Sequence, residues 1–231
     1  MDFSSFDILK YPVLPVQEGY KEWADTYEQT VQDEMDLQLL ARLKTINWTS
    51  ITSAIDLACG TGRIGAWLKE QGVKSVDGVD ITTEMLEKAK KKNVYNFLLN
   101  GDVLNTNLPG ESYDLTIQSL ADEHYADVTP LYLEASRITK NNGYFVIVGY
   151  HPFFLMNGLI THYHKENGEP SAIVSYVHLF SDHVKAAFKG KFALLEMDEA
   201  VIDDDWLKKK PKWEKYKNRP VSFVMVWQKR N

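Results

Sequence analysis

Cysteine is almost absent from this chain. The single Cys59 can form neither an intramolecular disulfide nor a thiolate zinc cage, so nothing calls for an oxidising compartment. No apolar run approaches the ~18 residues a membrane-spanning helix needs, and Met1 to Tyr11 has neither the basic start nor the apolar stretch of a secretory signal. These absences predict a chain that is neither secreted nor membrane-spanning, with the cytoplasm as its expected place. Excess positive charge is missing too. Lys plus Arg number 26 against 32 for Asp plus Glu, and the net charge of −6 disfavours a surface that wraps a nucleic-acid backbone. What remains is ordinary globular composition, 44% hydrophobic and 25% charged, in 231 residues, enough for one substantial core.

Pro12, Pro15 and Gly19 punctuate the start, and a long stretch without Pro or Gly follows. From Tyr20 to about Lys44 the positions Tyr20, Trp23, Ala24, Tyr27, Val31, Met35, Leu39 and Leu43 repeat at helical spacing, predicting one amphipathic helix. After Asn47 the pattern alternates. Ile51 to Ala58 and Ser75 to Asp80 read as strands, Thr61 to Gln71 and Thr82 to Lys92 as helices. The second of these helices has Glu84 and Glu87 early and Lys88, Lys90, Lys91 and Lys92 late, as the macrodipole prefers, with Asn93 as its stop. Tyr95 to Leu99, Tyr113 to Gln118 and Gly143 to Gly149 read as further strands, with a helix from about Asp127 to Thr139. A helix near Ser181 to Phe188 and strands at Phe192 to Glu196 and Val221 to Gln228 complete the chain. The predicted fold is α/β, a Rossmann-like doubly wound sheet, mostly parallel with an antiparallel last strand and helices on both faces.

In such a sheet a ligand sits beyond the C-terminal strand ends, where strand order reverses. The first strand of the alternating region runs into Asp56-Leu57-Ala58-Cys59-Gly60-Thr61-Gly62-Arg63-Ile64-Gly65, which contains G-x-G-x-x-G. Gly60 and Gly62 let backbone amides approach a ligand; a tight strand-to-helix turn with no ligand is the competing reading. Asp80, ending the next strand, lies where a carboxylate accepts from both hydroxyls of a ribose, which suits an adenosine group or a nicotinamide dinucleotide. Asp56 places negative charge where a pyrophosphate would be repelled and an ammonium attracted, favouring a zwitterionic ligand.

On several motifs together the chain resembles the class I S-adenosylmethionine-dependent methyltransferases. D-L-A-C-G-T-G at Asp56 to Gly62 is similar to their first motif and G-V-D-I-T at Gly78 to Thr82 to their second. Gly101-Asp102-Val103 resembles the adenine-recognition turn, and Tyr113 to Leu120 the strand ending at the methyl donor. The segment from Ile138 to Val148 resembles their K-P-G-G region but carries Asn141 and Asn142 in place of Pro and the first Gly. Tyr20 to Tyr27, Y-K-E-W-A-D-T-Y, is similar to an aromatic opening helix that folds over the cofactor. The resemblance covers about residues 20 to 150. It implies S-adenosylmethionine as cofactor and S-adenosylhomocysteine as product. It also implies that Gly60 and Gly62 border the methionine, Asp56 holds its amino group, Asp80 takes the ribose, Ile81 packs on the adenine, Asp102 and the Val103 amide bind its edge, and Ser119 and Leu120 lie near the sulfonium. Tyr20 and Tyr27 would cover the site, with core packing as the alternative for both.

The chain then reads as a single methyltransferase-like domain over residues 1–231, divided into an N-terminal helical lid (1–47), a cofactor-binding core (48–150), an acceptor-side insertion and helix (151–190) and final strands (191–231). All six histidines fall between His124 and His183, where the family builds its acceptor pocket. His124 and His151, just past strand ends, are the candidate general bases, with a structural role as the alternative for each. His162-x-His164 has the spacing of a metal pair but no obvious third ligand, so no metal is expected. Tyr150, Phe153, Phe154, Tyr163 and Tyr176 suggest a lid or apolar pocket. From Asp203 onward nine Lys or Arg face four acids, a solvated face or an attraction for an anionic acceptor. The expected partner is a small-molecule methyl acceptor taking the group on O or N, with no nucleic acid and no membrane. An NAD(P)-dependent oxidoreductase and a non-catalytic S-adenosylmethionine-binding protein are the competing classes.

Overall fold

The computed structural model describes residues 1–31, 35–165 and 167–231. Its strands are β1 (Val13–Leu14), β2 (Ser53–Leu57), β3 (Ser75–Asp80), β4 (Leu98–Asn100), β5 (Tyr113–Ser119), β6 (Thr139–Tyr150), β7 (His162–His164), β8 (Pro170–Ile173), β9 (Phe192–Val201) and β10 (Pro220–Lys229). The helices are α1 (Val16–Trp23), α2 (Tyr27–Thr30), α3 (Met35–Arg42), α4 (Arg63–Glu70), α5 (Thr83–Lys92), α6 (Thr129–Ile138), α7 (Pro152–Met156), α8 (Phe180–Lys189) and α9 (Asp204–Lys209). Seven strands make one sheet in the order β4-β3-β2-β5-β6-β10-β9, parallel throughout except for β10, which runs antiparallel to β6 and β9. This is the doubly wound arrangement the alternation predicts, with its order reversal between β2 and β5.

The period of two along each strand divides the core. On β6 and β10, Val146, Val148, Val224 and Val226 join Leu39 and Leu40 of α3 and Leu68 of α4. Their neighbours Phe145, Ile147, Phe223 and Met225 join Tyr132 and Ala135 of α6 and Ala186 of α8. Tyr132, Phe145 and Phe223 are fully buried, each stabilising the fold by roughly 1.5–3 kcal/mol.

The N-terminal helix differs from its expected form. In place of one helix from Tyr20 to Lys44 the chain forms α1, α2 and α3, and residues 32–34 of the expected span lie outside the described residues. Thr30 is the last residue of α2. Its hydroxyl donates to the Thr26 and Tyr27 carbonyls and accepts the Trp23 indole N–H, and Val31 then leaves helical geometry. Helix α5 meets this segment through three ion pairs, its Glu84 with Lys21 at 3.4 Å, its Lys88 with Asp25 at 2.6 Å and its Lys92 with Glu28 at 2.5 Å.

Three further departures are local. The Tyr95 to Leu99 strand is displaced to β4, because Tyr95 turns inward. The expected Gly143 to Gly149 strand begins earlier, at Thr139, with a register shift against β5 and Asn142 in the left-handed region (φ +62°), a conformation Asn tolerates. A second small sheet, β1-β8-β7, ties the N-terminal segment to the insertion, and α1 approaches it so closely that a Cβ on Gly19 would lie 2.8 Å from Ile173.

The glycine-rich turn rests on one side chain. A Cβ on Gly62, Gly65 or Gly78 would stand 2.9, 2.3 or 3.0 Å from the Tyr95 ring, and the Tyr95 hydroxyl donates to Asp56 Oδ2 at 2.7 Å. Burial pushes the Asp56 carboxyl up to about 7, against the opposing effect of that hydrogen bond.

Two outcomes follow from this contact. Gly65→Ala should destabilise by about 1–3 kcal/mol, lowering Tm by roughly 2–12 °C; an unchanged Tm would mean the ring can move aside. Asp56 holds its proton more tightly folded than unfolded, so its stabilising share is complete below about pH 4 and is lost as pH rises through about 7. Relative to Asp56→Asn, the natural chain should lose at most about 4 kcal/mol between those limits in denaturant titrations, and parallel profiles would refute it.

Candidate functional site

The C-terminal ends of β2, β3 and β5 border a cavity of about 270 Å³, to which α1 contributes Val16, Gln17 and Tyr20. Gln17 donates to the Ile81 carbonyl at 3.1 Å, holding α1 across the end of β3. Gly60, in the left-handed region at φ +52°, faces open space, so its backbone is accessible where any side chain would project. The Gly60 amide donates to Asp80 Oδ2 at 2.8 Å and the Thr82 amide to Oδ1 at 2.8 Å, which aims that buried carboxylate while leaving lone pairs for hydroxyl donors. Burial raises the Asp80 pKa, countered by these amides. Ile81, Asp102 and Val103 also line the cavity, the Leu104 amide fixing Asp102 at 2.8 Å. So do Tyr27, Ser119 and Leu120, the last with φ +52° directly after β5.

His124 completes this wall. Its Nδ1 lies 2.7 Å from the Val174 carbonyl, which only accepts, so Nδ1 carries a proton, and Nε2 shares a hydrogen bond of 2.8 Å with the Tyr20 hydroxyl. The buried Glu123 carboxylate, bonded by the Thr161 hydroxyl at 3.0 Å, stands 3.6 Å from the same Nε2.

Three expected site residues are placed elsewhere. Asp56 does not line the cavity, since its strand position turns it toward Tyr95. Gly62 takes φ +86° against Tyr95 and Ala89, so its lack of a side chain serves helix packing. His151 is a helix cap. Its Nδ1 accepts from the Phe153 amide at 3.0 Å, leaving Nε2–H to donate to Glu199 at 2.9 Å, while Phe180 packs edge-on against the ring. His162 and His164 lie with their rings 6.1 Å apart beside Tyr11, and the described residues contain no group of three or more His, Cys, Asp or Glu disposed to hold a metal. No helix among them is long and apolar enough to cross a membrane.

Sequence reading passed over Asp36 and Arg63. The Asp36 carboxylate, 0% exposed, accepts both Arg63 nitrogens at 2.6 Å and the Ser119 hydroxyl at 2.8 Å, joining α3, α4 and the end of β5 at the cavity wall. Removing one partner of such a pair costs about 3–5 kcal/mol. The signal was present: Asp36 falls four residues before Leu40 and seven before Leu43, an acid on an apolar face.

Arg63 and Leu120 are shared with a second, larger cavity of about 580 Å³. Its walls include Trp23, Tyr150, Phe154, Tyr163, Trp213 and Tyr216, from the N-terminal helices, the insertion and the last segment.

Comparison with known proteins agrees with this geometry. Residues 55–147 match the family described as a methyltransferase domain. The malonyl-[acyl-carrier protein] O-methyltransferase of Hamiltonella defensa is 27% identical over 130 residues, 55% of this chain and 49% of that protein, so the chain spans about half the length of that relative. An S-adenosylmethionine-dependent methyltransferase from Mesorhizobium loti superposes with a TM-score of 0.67 at 19% identity, covering 86% of this chain and 99% of that one. The DhpI–SAH complex does so with a TM-score of 0.66 at 15% identity, covering 93% and 95%. At these identities the structural likeness concerns the fold. Residues 55–147 thus match a methyltransferase domain, and the fold around the cavity beyond β2, β3 and β5 is that of the S-adenosylmethionine-dependent methyltransferases on which the chain superposes.

Proposed function

We propose that this chain transfers the methyl group of S-adenosylmethionine to an oxygen or nitrogen of a small-molecule acceptor. The observation that carries this reading is the meeting of the two cavities at Leu120 and Arg63, with the Tyr20–His124 pair on the wall of the first. The donor set suits the cofactor: Asp80 and Asp102 supply acceptors for ribose hydroxyls and an adenine amino group, Ile81 and Val103 supply apolar surface, and Gly60 leaves room for close approach. When bound, S-adenosylmethionine supplies a methyl group on a good leaving group, so the protein's main task is alignment, worth ~7–11 kcal/mol of barrier. Ser119 and Leu120 border the methyl end, and the Tyr20 and Tyr27 rings offer electron-rich faces to a cation.

For a hydroxyl acceptor, the Tyr20 oxygen takes the acceptor's proton as its own passes to His124 Nε2. The Val174 carbonyl and the nearby Glu123 carboxylate stabilise the resulting imidazolium. The aromatic side chains of the second cavity offer apolar surface to the body of the acceptor. A malonyl acyl-carrier protein, the substrate named for the Hamiltonella relative, belongs in the acceptor panel.

S-adenosylhomocysteine at about 100 times its Kd should raise stability by about 2.7 kcal/mol, or roughly 5–11 °C in Tm, and Asp80→Ala should remove most of that shift. A shift with NADH and none with S-adenosylhomocysteine would overturn the reading in favour of an oxidoreductase. His124→Gln should keep the shift yet lower kcat on a hydroxyl acceptor by about 10²–10⁴-fold, and full activity would remove His124 from the chemistry.

A further inference from the structure

The two edges of the seven-stranded sheet end differently. β4 closes one side with three residues, whereas β9 closes the other with ten and, among the described residues, has no strand beyond it. The register against β10 places Leu194 and Met197 on the face of Trp227 and Met225, which α8 packs, and Glu196 and Asp198 on the face of Val226 and Val224. The second of these faces is closed. Glu196 accepts the Lys44 and Thr45 amides at 3.0 and 2.8 Å, while Arg42 donates to Asp198 at 2.8 Å and to the Glu199 carbonyl at 3.1 Å. The first is open. Leu194, Leu195, Met197 and Val201 are 37–45% exposed, and Phe188, near the end of α8 just before the turn into β9, is 77% exposed. Leu195 alone has no partner on β10, and from Glu196 to Val201 the strand continues without a gap. A long apolar edge of this kind is a template for another strand.

We propose that β9 is the seam of a symmetric homodimer, its outer edge pairing antiparallel with β9 of a second copy across a two-fold axis perpendicular to the sheet. Charge selects this partner and this direction. Lys189 and Lys191, both exposed, precede β9, and the exposed Glu199 and Asp203 stand at its far end. Antiparallel pairing reverses one copy against the other, so the lysines of each face the acids of its partner at both ends of the seam. A chain of net charge −6 repels its own copy, and this double match is what offsets the repulsion. The same axis sets both α8 helices on one face, where Phe188 and Met197 flank the seam. A stable dimer buries ~800 Å² per partner, more than a pair of strands provides, and these apolar side chains are the further surface. No residue of β9 lines either cavity, so the dimer leaves both open.

Sedimentation equilibrium of the full chain should give a mass near twice 26.5 kDa that falls toward 26.5 kDa on dilution. Lys189→Glu/Lys191→Glu and, separately, Glu199→Lys should each weaken self-association at least about tenfold, with Tm close to that of the natural chain. Mixing the two variants in equal amounts should restore the dimer, because each then offers the sign the other lacks at both ends of the seam. Met197→Lys, a charge set into the apolar edge, should leave a folded monomer. A monomer at every concentration, a dimer that these variants leave intact, or a mixture of the two charge variants that stays monomeric would overturn the inference. The outcome is independent of the methyl-transfer reading, since no arm of the experiment depends on a ligand.

Discussion

The Tyr95 ring is the constraint on which the cofactor end of the molecule depends. It fills the space beneath Gly62, Gly65 and Gly78, so the turn after β2, the first turn of α4 and the middle of β3 close on one side chain. Its hydroxyl gives the buried Asp56 carboxyl a partner where burial alone would leave an unsatisfied acid. With that side of the turn packed solid, Gly60 is left on the other side, exposing its backbone to the cavity and aiming the Asp80 carboxylate through its amide. Asp56 and Asp80 thus divide two tasks between them, one anchoring the turn and one facing the cavity.

The cavity's cover is held in a different way. It meets α5 through three ion pairs with substantially solvent-accessible partners, each worth about 0–1 kcal/mol and weakened by salt, and meets the end of β3 through the Gln17 hydrogen bond to the Ile81 carbonyl. By contrast, Asp36–Arg63–Ser119 is a buried charged network joining α3 to the core. The firm join lies at the boundary between the two cavities, and the weaker one lies over the smaller cavity. The small sheet β1-β8-β7 couples this cover to the insertion that contributes Tyr163 to the larger chamber.

Much of the fold was legible because strand and helix periods are local. Ser75–Asp80 was read to the residue, and the alternating apolar runs placed β5, α6 and α8 within a few positions. Helical spacing over Tyr20 to Leu43 identified the correct buried face but not the breaks, since the Thr30 hydroxyl and the Trp23 indole compete with the helix only once Trp23 is packed. His151 shared with His124 a position just past a strand end. What distinguished them was whether each ring nitrogen met a helix amide or a tyrosine hydroxyl beside a cavity.

Sequence by itself determined the doubly wound sheet, the reversal point after β2, and the place of Asp80 and Asp102 beside that point, because these follow from periodicity and from motifs a few residues long. Tertiary structure alone decided that Asp56 and Gly62 serve Tyr95, that Asp36 meets Arg63, and that lysines beyond position 209 share a chamber with Trp23. Those contacts join residues far apart in the chain, and their energies depend on burial and on the direction of each side chain, which no local pattern carries.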